Sequence, residues 1–138
     1  MKILGIDPGL CVTGYGLIEA GPKGIKLIEA GVVRSSAKEK IEARIEKIYK
    51  GINGLVKESK PDVLVLEELY SHYRHPVTSI LMGHVRGAIC LLAKETGTQL
   101  VGYSATRVKK AITGAGHASK YQMQRMIQDL FNMKSAPN

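Results

Sequence analysis

The chain has 138 residues and a net charge of +8, enough sequence for one domain with a core that needs no disulfide or metal. Apolar residues make up 44% and charged residues 23%, an ordinary globular composition that argues against intrinsic disorder. No uninterrupted apolar run approaches the roughly 20 residues of a membrane span, and the amino terminus has no signal-peptide core. Cys11 and Cys90 form no metal-ligand pattern, so zinc fingers and disulfide scaffolds are excluded. We expect both cysteines to be reduced and mostly buried in a cytoplasmic protein.

The positive charge is concentrated near the carboxyl terminus. Residues 1–102 hold 14 Lys/Arg and 11 Asp/Glu, whereas residues 103–138 hold 6 and 1. The last quarter of the chain therefore carries +5 of the net +8. Such a surface indicates a polyanionic partner, nucleic acid before membrane, although charge that serves only solubility is an alternative.

The first 60 residues predict three strands and a helix. Residues 2–6, 11–19 and 25–34 read as consecutive extended segments, which predicts an antiparallel meander. Ser36 and Glu39 fit a capping box at the start of a helix. Apolar residues then recur at helical spacing until Pro61-Asp62.

Two more strands and two more helices follow. Residues 63–66 are an unbroken branched apolar run, typical of a strand covered on both faces. Pro76 opens a helix to about Glu95 that is more apolar than one sheet contact requires, which indicates a second partner such as another subunit. Residues 99–103 form a fifth strand, and Ser119 begins a last helix to about Phe131. The order βββαβαβα predicts an α/β domain with a five-stranded mixed sheet and helices on both faces.

Two acidic residues end buried strands and are the first candidates for chemistry. Asp7 lies in Gly5-Ile6-Asp7-Pro8-Gly9, and Glu67 follows the apolar run at 63–66. Open α/β sheets place their sites at the carboxyl ends of strands, and two such carboxylates can bind a hard cation such as Mg²⁺. Alternatively, Asp7 only initiates a turn. Glu67 and Glu68 point to opposite faces of a strand, and spacing alone does not decide which of them joins Asp7.

Two further segments are candidates for nucleic-acid contacts. The loop from Tyr70 to His75 mixes aromatic residues with Arg74, so it can stack on unpaired bases and hold phosphate, or it is an ordinary surface loop. The basic stretch with Lys109 and Lys110 leads through glycines into the helix that begins near Lys120. A helix start with nearby lysines can bind phosphate, and a solvated basic surface is the alternative.

Several motifs, taken in order, resemble the bacterial RuvC-type Holliday-junction resolvases over essentially the whole chain. The residues that carry the resemblance are Gly5-Ile6-Asp7-Pro8-Gly9, Val12-Thr13-Gly14-Tyr15-Gly16, Leu66-Glu67-Glu68-Leu69-Tyr70, Gly83-His84-Val85-Arg86-Gly87 and Val108-Lys109 with Gly114, Gly116 and Lys120. The resemblance implies a ribonuclease-H-like fold, here a single domain over residues 1–138. It also implies a homodimer that cuts four-way DNA junctions by symmetric paired nicks in recombination and repair.

The resemblance also assigns roles to individual residues. Asp7 and Glu67 match the first two catalytic, metal-binding carboxylates of a site that holds two Mg²⁺ ions, for which Mn²⁺ can substitute. Tyr70 matches an aromatic residue at the junction, and Lys109 and Lys120 match basic positions that contact DNA. The helix from Pro76 corresponds to the dimer-interface helix. The branch-migration proteins RuvA and RuvB are the implied partners.

The chain departs from the family pattern at one point. In the family, an acidic motif that begins a last helix follows the segment matching residues 135–138 and supplies the remaining metal ligands. Two divalent ions carry +4, whereas Asp7 and Glu67 supply −2. We therefore expect this chain to bind junctions and cleave them poorly.

Three other functions fit parts of the sequence. An actin-like or sugar-kinase ATPase shares the strand and Asp-x-Gly opening, but it needs a second matching domain. An RNA-processing nuclease of the same fold shares the Asp-Pro-Gly opening, and preference for structured RNA would reveal it. A non-catalytic module that binds and protects junctions would bind without cleaving.

Overall fold

The computed structural model describes residues 1–69 and 75–136. The chain divides into two compact units, Met1–Gly102 and Tyr103–Asn138. The strands are β1 (Lys2–Asp7), β2 (Val12–Gly21), β3 (Gly24–Arg34), β4 (Val63–Glu67) and β5 (Gln99–Tyr103). The helices are α1 (Ile41–Ser59), α2 (Pro76–Thr96), α3 (Ala105–Thr113) and α4 (Lys120–Leu130).

The five strands form one mixed sheet in the order β3-β2-β1-β4-β5, as predicted. The first three strands are the antiparallel meander, and β4 returns parallel to β1 after the α1 crossover. The starts of β1 and β4 are tied by two hydrogen bonds between Lys2 and Asp62, one from each backbone N–H, at 2.7 and 2.9 Å. This pairing places the carboxyl ends of β1 and β4 side by side.

The core of the first unit lies between one face of the sheet and the helices α1 and α2. Its buried residues are Leu4, Ile6, Leu10, Leu17, Ile48, Ile52, Val56, Leu64, Leu66, Val85, Ile89, Leu92 and Ala93. On β4, Leu64 and Leu66 are buried on this face, whereas Val63 and Val65 on the other face are half-buried. The side chains of β4 are therefore fully buried only on the face that packs against the helices, and they are partly exposed on the other face.

The helices α1 and α2 pack against each other beside this core. Their polar edge includes a hydrogen bond from the Tyr49 hydroxyl to the Glu95 carboxylate. That bond raises the pKa of Tyr49, because ionisation would place two negative charges together. This hydrogen bond joins α1 to α2 at their exposed edge.

The second unit contains α3 and α4, and the sequence patterns do not predict α3 as a helix. The side chain of Ser104 caps it by accepting a hydrogen bond from the Arg107 N–H. None of the nine residues of α3 is buried. Its larger apolar residues, Val108 and Ile112, do recur at helical spacing, but a helix of nine residues is too short for this pattern to stand out from the basic stretch.

The capping-box prediction at Ser36 is wrong, although the two side chains do interact. Glu39 accepts a hydrogen bond from the Ser36 N–H at 2.8 Å, but the residues form a turn, and α1 begins at Ile41 with Lys40 as its N-cap. The hydrogen bond from Ser36 lowers the pKa of Glu39, and the nearby Lys47 ammonium adds to the effect. The motif therefore stabilises the approach to α1 rather than its first turn.

The prediction that both cysteines are mostly buried is also wrong, since both are free and exposed. Cys90 lies on the outward side of α2. Cys11 lies in the loop after β1, where its sulfur accepts a hydrogen bond from Nη2 of Arg44 at 3.0 Å. The buried residue of this pair is the arginine, whose exposed fraction is only 8%.

One helix among the described residues, α2, is long and apolar enough to cross a membrane by length and composition alone. The expectation that no unbroken apolar run approaches about 20 residues still holds, because polar residues interrupt α2 and only its average composition is apolar. Val85, Ile89 and Leu92 of α2 belong to the core of the first unit. This packing makes α2 part of the α/β fold.

Candidate metal and nucleic-acid site

Asp7 and Glu67 are neighbours across two parallel strands. The register between β1 and β4 runs from Ile3↔Val63 to Ile6↔Leu66, so Asp7 and Glu67 are the next residues on each strand. Paired strands lie about 4.7–4.9 Å apart. The two carboxylates therefore extend from adjacent positions at one end of the sheet.

Both side chains also point to the same face of the sheet. Ile6 and Leu66, with exposed fractions of 4% and 1%, face the core. Because successive side chains alternate, Asp7 and Glu67 face the opposite side. Glu68 alternates back, and its carboxylate lies beside Gly102 of β5, where an added Cβ would be 3.0 Å from Glu68 Oε1. The register thus selects Glu67 over Glu68 as the neighbour of Asp7.

The loop after Asp7 is held by Thr13, which is fully buried. The Thr13 hydroxyl donates to the Gly9 carbonyl at 2.7 Å and accepts from the Gly9 N–H at 3.3 Å. A Cβ on Gly9 would lie 2.2 Å from the Val12 carbonyl oxygen. Glycine is therefore required here by the chain's own backbone.

Glycines leave open space beside Asp7 on β2. Gly14 pairs directly with Asp7, and the Cβ that it lacks would be 3.8 Å from the Asp7 Cβ. Gly16, on the same face, has no atom within 4 Å of an added Cβ. Among the described residues, Gly14 and Gly16 thus leave space beside Asp7 that side chains on β2 would otherwise fill.

The carboxylate pair fits a hard divalent cation. Mg²⁺ is commonly held by one or two carboxylates together with water and substrate phosphate, and Asp7 and Glu67 offer that donor set at one edge. In the part of the chain that the structure describes, no group of three or more His, Cys, Asp and Glu side chains could hold a metal ion. The described residues therefore provide a two-carboxylate site that relies on other oxygen donors.

Sequence reasoning missed Arg86 as part of this site. Its guanidinium Nη1, reaching from α2, donates a hydrogen bond to the main-chain carbonyl of Glu67. The only signal for it is the motif Gly83–Gly87, which carries the family resemblance but indicates no contact. A contact between residues 67 and 86 leaves no local pattern in the sequence.

The predicted lysines all lie in the second unit. Lys109 and Lys110 are on α3, the first half-buried and the second exposed, and Lys120 is the exposed first residue of α4. The capping box predicted at Ser119 is confirmed, and it uses the N–H groups of Ser119 and Gln122. Those two N–H groups are therefore engaged within the cap, and an anion at this helix start could use the Lys120 side chain and the remaining first-turn N–H groups.

Arg107 and Tyr103 add an aromatic and basic contact to the same unit, since the guanidinium carbon lies 4.9 Å from the ring centroid. The predicted contacts Tyr70 and Arg74 lie outside the described residues. The second unit thus carries most of the net positive charge together with an exposed arginine on an aromatic face.

The family model described as crossover junction endodeoxyribonuclease RuvC matches residues 3–138. A crossover junction endodeoxyribonuclease RuvC of Rhodopirellula baltica is 43% identical over 135 residues, which cover 98% of this chain and 76% of that protein. The corresponding protein of Moorella thermoacetica is 37% identical over 137 residues, covering 99% and 81%.

Solved structures agree with the predicted fold. Thermus thermophilus RuvC in complex with a Holliday junction substrate superimposes with a TM-score of 0.91 at 29% identity, covering 100% of this chain and 84% of that one. A yeast mitochondrial Holliday junction resolvase matches with a TM-score of 0.67 at 16% identity, covering 97% and 65%, a likeness of fold alone. The ribonuclease-H-like α/β fold is therefore confirmed.

Proposed function

Because the chain belongs to the RuvC family of crossover junction endodeoxyribonucleases, we propose that it hydrolyses phosphodiesters at four-way DNA junctions. The observation that carries this proposal is the placement of Asp7 and Glu67 on one face, at the ends of adjacent parallel strands. The resemblance to Thermus thermophilus RuvC, whose structure contains a Holliday junction substrate, supports this choice of DNA. Recombination and repair are the processes in which such junctions arise.

Asp7 and Glu67 would hold Mg²⁺, for which Mn²⁺ can substitute. A bound divalent ion lowers the pKa of water and neutralises charge on the phosphate. The residues of this chain keep the two carboxylates adjacent, leave the Gly14 side open, and restrain the loop through Thr13. Together these features would hold a bound cation in a fixed position beside one phosphodiester.

The number of carboxylates sets an expectation for the rate. Two divalent ions carry +4, and Asp7 with Glu67 supplies −2. A polypeptide of residues 1–138 alone is therefore expected to bind junctions well and to nick them slowly. Fast paired nicking of a labelled four-way junction by this polypeptide would contradict the expectation.

Substitution of the carboxylates tests the proposed metal site. Asp7→Asn and Glu67→Gln should each lower the nicking rate about 10³-fold, since a metal contributes several kcal/mol to the transition state. Each should also weaken Mn²⁺ binding measured by calorimetry. Glu68→Gln is the matched control, because that carboxylate points away from Asp7, and it should change neither quantity. Equal losses in Glu68→Gln and Glu67→Gln would overturn the assignment.

We also propose that Lys109, Lys110 and Lys120 bind the phosphate backbone, with Arg74 as a further phosphate contact. Tyr70 would stack on unpaired bases at the junction. The basic character of the second unit supports the lysine contacts.

Replacement of Tyr70 should reduce the preference of the protein for junctions over duplex DNA. Equal losses of affinity for junction and duplex DNA would count against stacking by Tyr70.

A homodimer would bring two such sites to one junction for symmetric paired nicks. The outward face of α2 supports this, because Ile80 and Leu91 have exposed fractions of 63% and 55%. Gly83 and Gly87 lie between them with no atom within 4 Å of an added Cβ, so a partner helix could approach closely.

We further propose a cytoplasmic location, where the free Cys11 and Cys90 would stay reduced. The branch-migration proteins RuvA and RuvB are the proposed partners.

A further inference from the structure

The hydrogen bond from Arg86 to Glu67 lies at the last residue of β4. Paired positions between β1 and β4 end at Ile6↔Leu66, one residue before Glu67. The Glu67 carbonyl accepts from Arg86 Nη1. We infer that Arg86 is a positioning residue that holds the Glu67 backbone so that its carboxylate faces the metal. This inference rests on the proposed function.

The helix that carries Arg86 is well suited to this task. Val85 and Ile89, on the same part of α2, are buried in the core. The backbone of α2 is therefore fixed to the sheet at the level of Arg86, and Arg86 itself is half-buried. Because Arg86 extends from a helix that is fixed to the core, its hydrogen bond restrains the backbone at the end of β4.

The chemistry of arginine favours a permanent contact. Its guanidinium stays charged at all ordinary pH values, and a hydrogen bond from a charged donor is stronger than one between neutral groups. Partial burial reduces screening by solvent. The Glu67 carbonyl thus accepts a charge-assisted hydrogen bond from a half-buried guanidinium on a neighbouring helix.

Metal binding makes the position of Glu67 critical. Mg²⁺ demands near-ideal geometry, with oxygen ligands at about 2.0–2.1 Å. A small rotation of the backbone at residue 67 would move the carboxylate away from the position shared with Asp7. Loss of Arg86 should therefore weaken metal binding without removing any metal ligand.

An experiment that separates positioning from DNA contact uses Arg86→Met and Arg86→Lys, with Lys94→Met as the matched control on an exposed part of α2. Mn²⁺ affinity is measured by calorimetry without DNA, and junction affinity is measured in EDTA. We expect Arg86→Met to weaken Mn²⁺ binding about 10-fold, the scale of losses from groups that orient metal ligands. Arg86→Lys should recover part of this loss, and Lys94→Met should bind Mn²⁺ like the parent protein.

Hydrogen exchange at residues 66–69 gives a second readout, and exchange should quicken in Arg86→Met while the core amides stay protected. Junction affinity in EDTA should remain unchanged. Parent-like Mn²⁺ affinity in both Arg86 variants would overturn the inference, as would a matching loss of junction affinity in EDTA, which would make Arg86 a DNA contact. If Arg86→Met does not fold, Arg86→Lys and Arg86→Gln decide by the same measurements.

Glu67→Gln is included to separate this inference from the proposed function. If it weakens Mn²⁺ binding while the Arg86 variants do not, only the positioning role fails. If Glu67→Gln itself leaves Mn²⁺ affinity unchanged, the metal site and the positioning role are both wrong.

Discussion

At the residue scale, the loop after Asp7 shows how a buried hydroxyl can support a site that it does not enter. Thr13 is buried on the core side of β2, and its hydroxyl makes two hydrogen bonds to the Gly9 backbone. Gly9 has no room for a side chain, because the Val12 carbonyl occupies the position of its Cβ. The position of Asp7 thus depends on residues that carry no charge.

Thr13→Val should test this support. Valine keeps the shape but removes the hydroxyl, so the Gly9 groups lose a buried partner at a cost of about 1–3 kcal/mol in the free energy of unfolding. Denaturant unfolding measures this loss, and calorimetry with Mn²⁺ should show weaker binding as well. Thr78→Val, at an exposed position of α2, is the control and should change neither. Unchanged stability in Thr13→Val would contradict the role of the hydroxyl.

At the element scale, two similar sequence motifs have different structural results. Ser119 and Gln122 form a reciprocal capping box at the start of α4. Ser36 and Glu39 have the same spacing, yet they form a turn before α1. The sequence motif predicts a local hydrogen bond in both cases, but the helix start depends on where the following residues can pack.

Ser119→Ala and Ser36→Ala form a matched pair for this difference. Loss of the Ser119 cap should destabilise α4 by about 1 kcal/mol, the usual cost of removing an N-cap. Hydrogen exchange in the first turn of α4 should quicken accordingly. Ser36→Ala should leave the protection of α1 unchanged, because its side chain caps no helix. Faster exchange in α1 would show that the turn is part of the helix start.

The outward face of α2 is the second feature at this scale. Ile80→Asp should weaken a homodimer about 10–100-fold, since burial of an isoleucine contributes about 1.5–3 kcal/mol. Sedimentation velocity over a concentration series measures the change, and paired nicks should become single nicks. Ile28→Asp places the same charge at an exposed isoleucine of β3 and should leave the dimer intact. A monomeric parent protein would contradict the dimer proposal.

At the scale of the whole molecule, charge is divided unequally between the two compact units. Residues 1–102 carry a net +3 and residues 103–138 a net +5, although the second segment is about one third as long. The first unit holds the proposed metal site, and the second holds the proposed phosphate contacts. In this arrangement, the carboxylates of the first unit would carry out hydrolysis, and the basic residues of the second unit would provide affinity for DNA of any sequence.

The salt dependence of binding tests the contribution of the second unit. Replacement of Lys109 or Lys120 by Met should weaken junction binding. It should also make the slope of log K against log salt shallower by about 0.9 for each phosphate that the variant no longer neutralises. Filter binding at several salt concentrations measures the slope. Lys57→Met, at an exposed position of α1, should leave the slope unchanged. A common change in all three variants would indicate net charge alone.

The sequence by itself determined the strands, three of the four helices, the two carboxylates and the basic segment. Apolar periodicity, turn residues and caps act between near neighbours, so they are visible in the sequence. The family resemblance already favours Glu67 over Glu68, whereas the physical reason, the register of β4 on β1, comes from the tertiary structure, as does the contact of Arg86 with the Glu67 backbone. Only the tertiary structure decided that both cysteines are exposed. These results depend on strand register and on contacts between residues far apart in the chain, which no local pattern records.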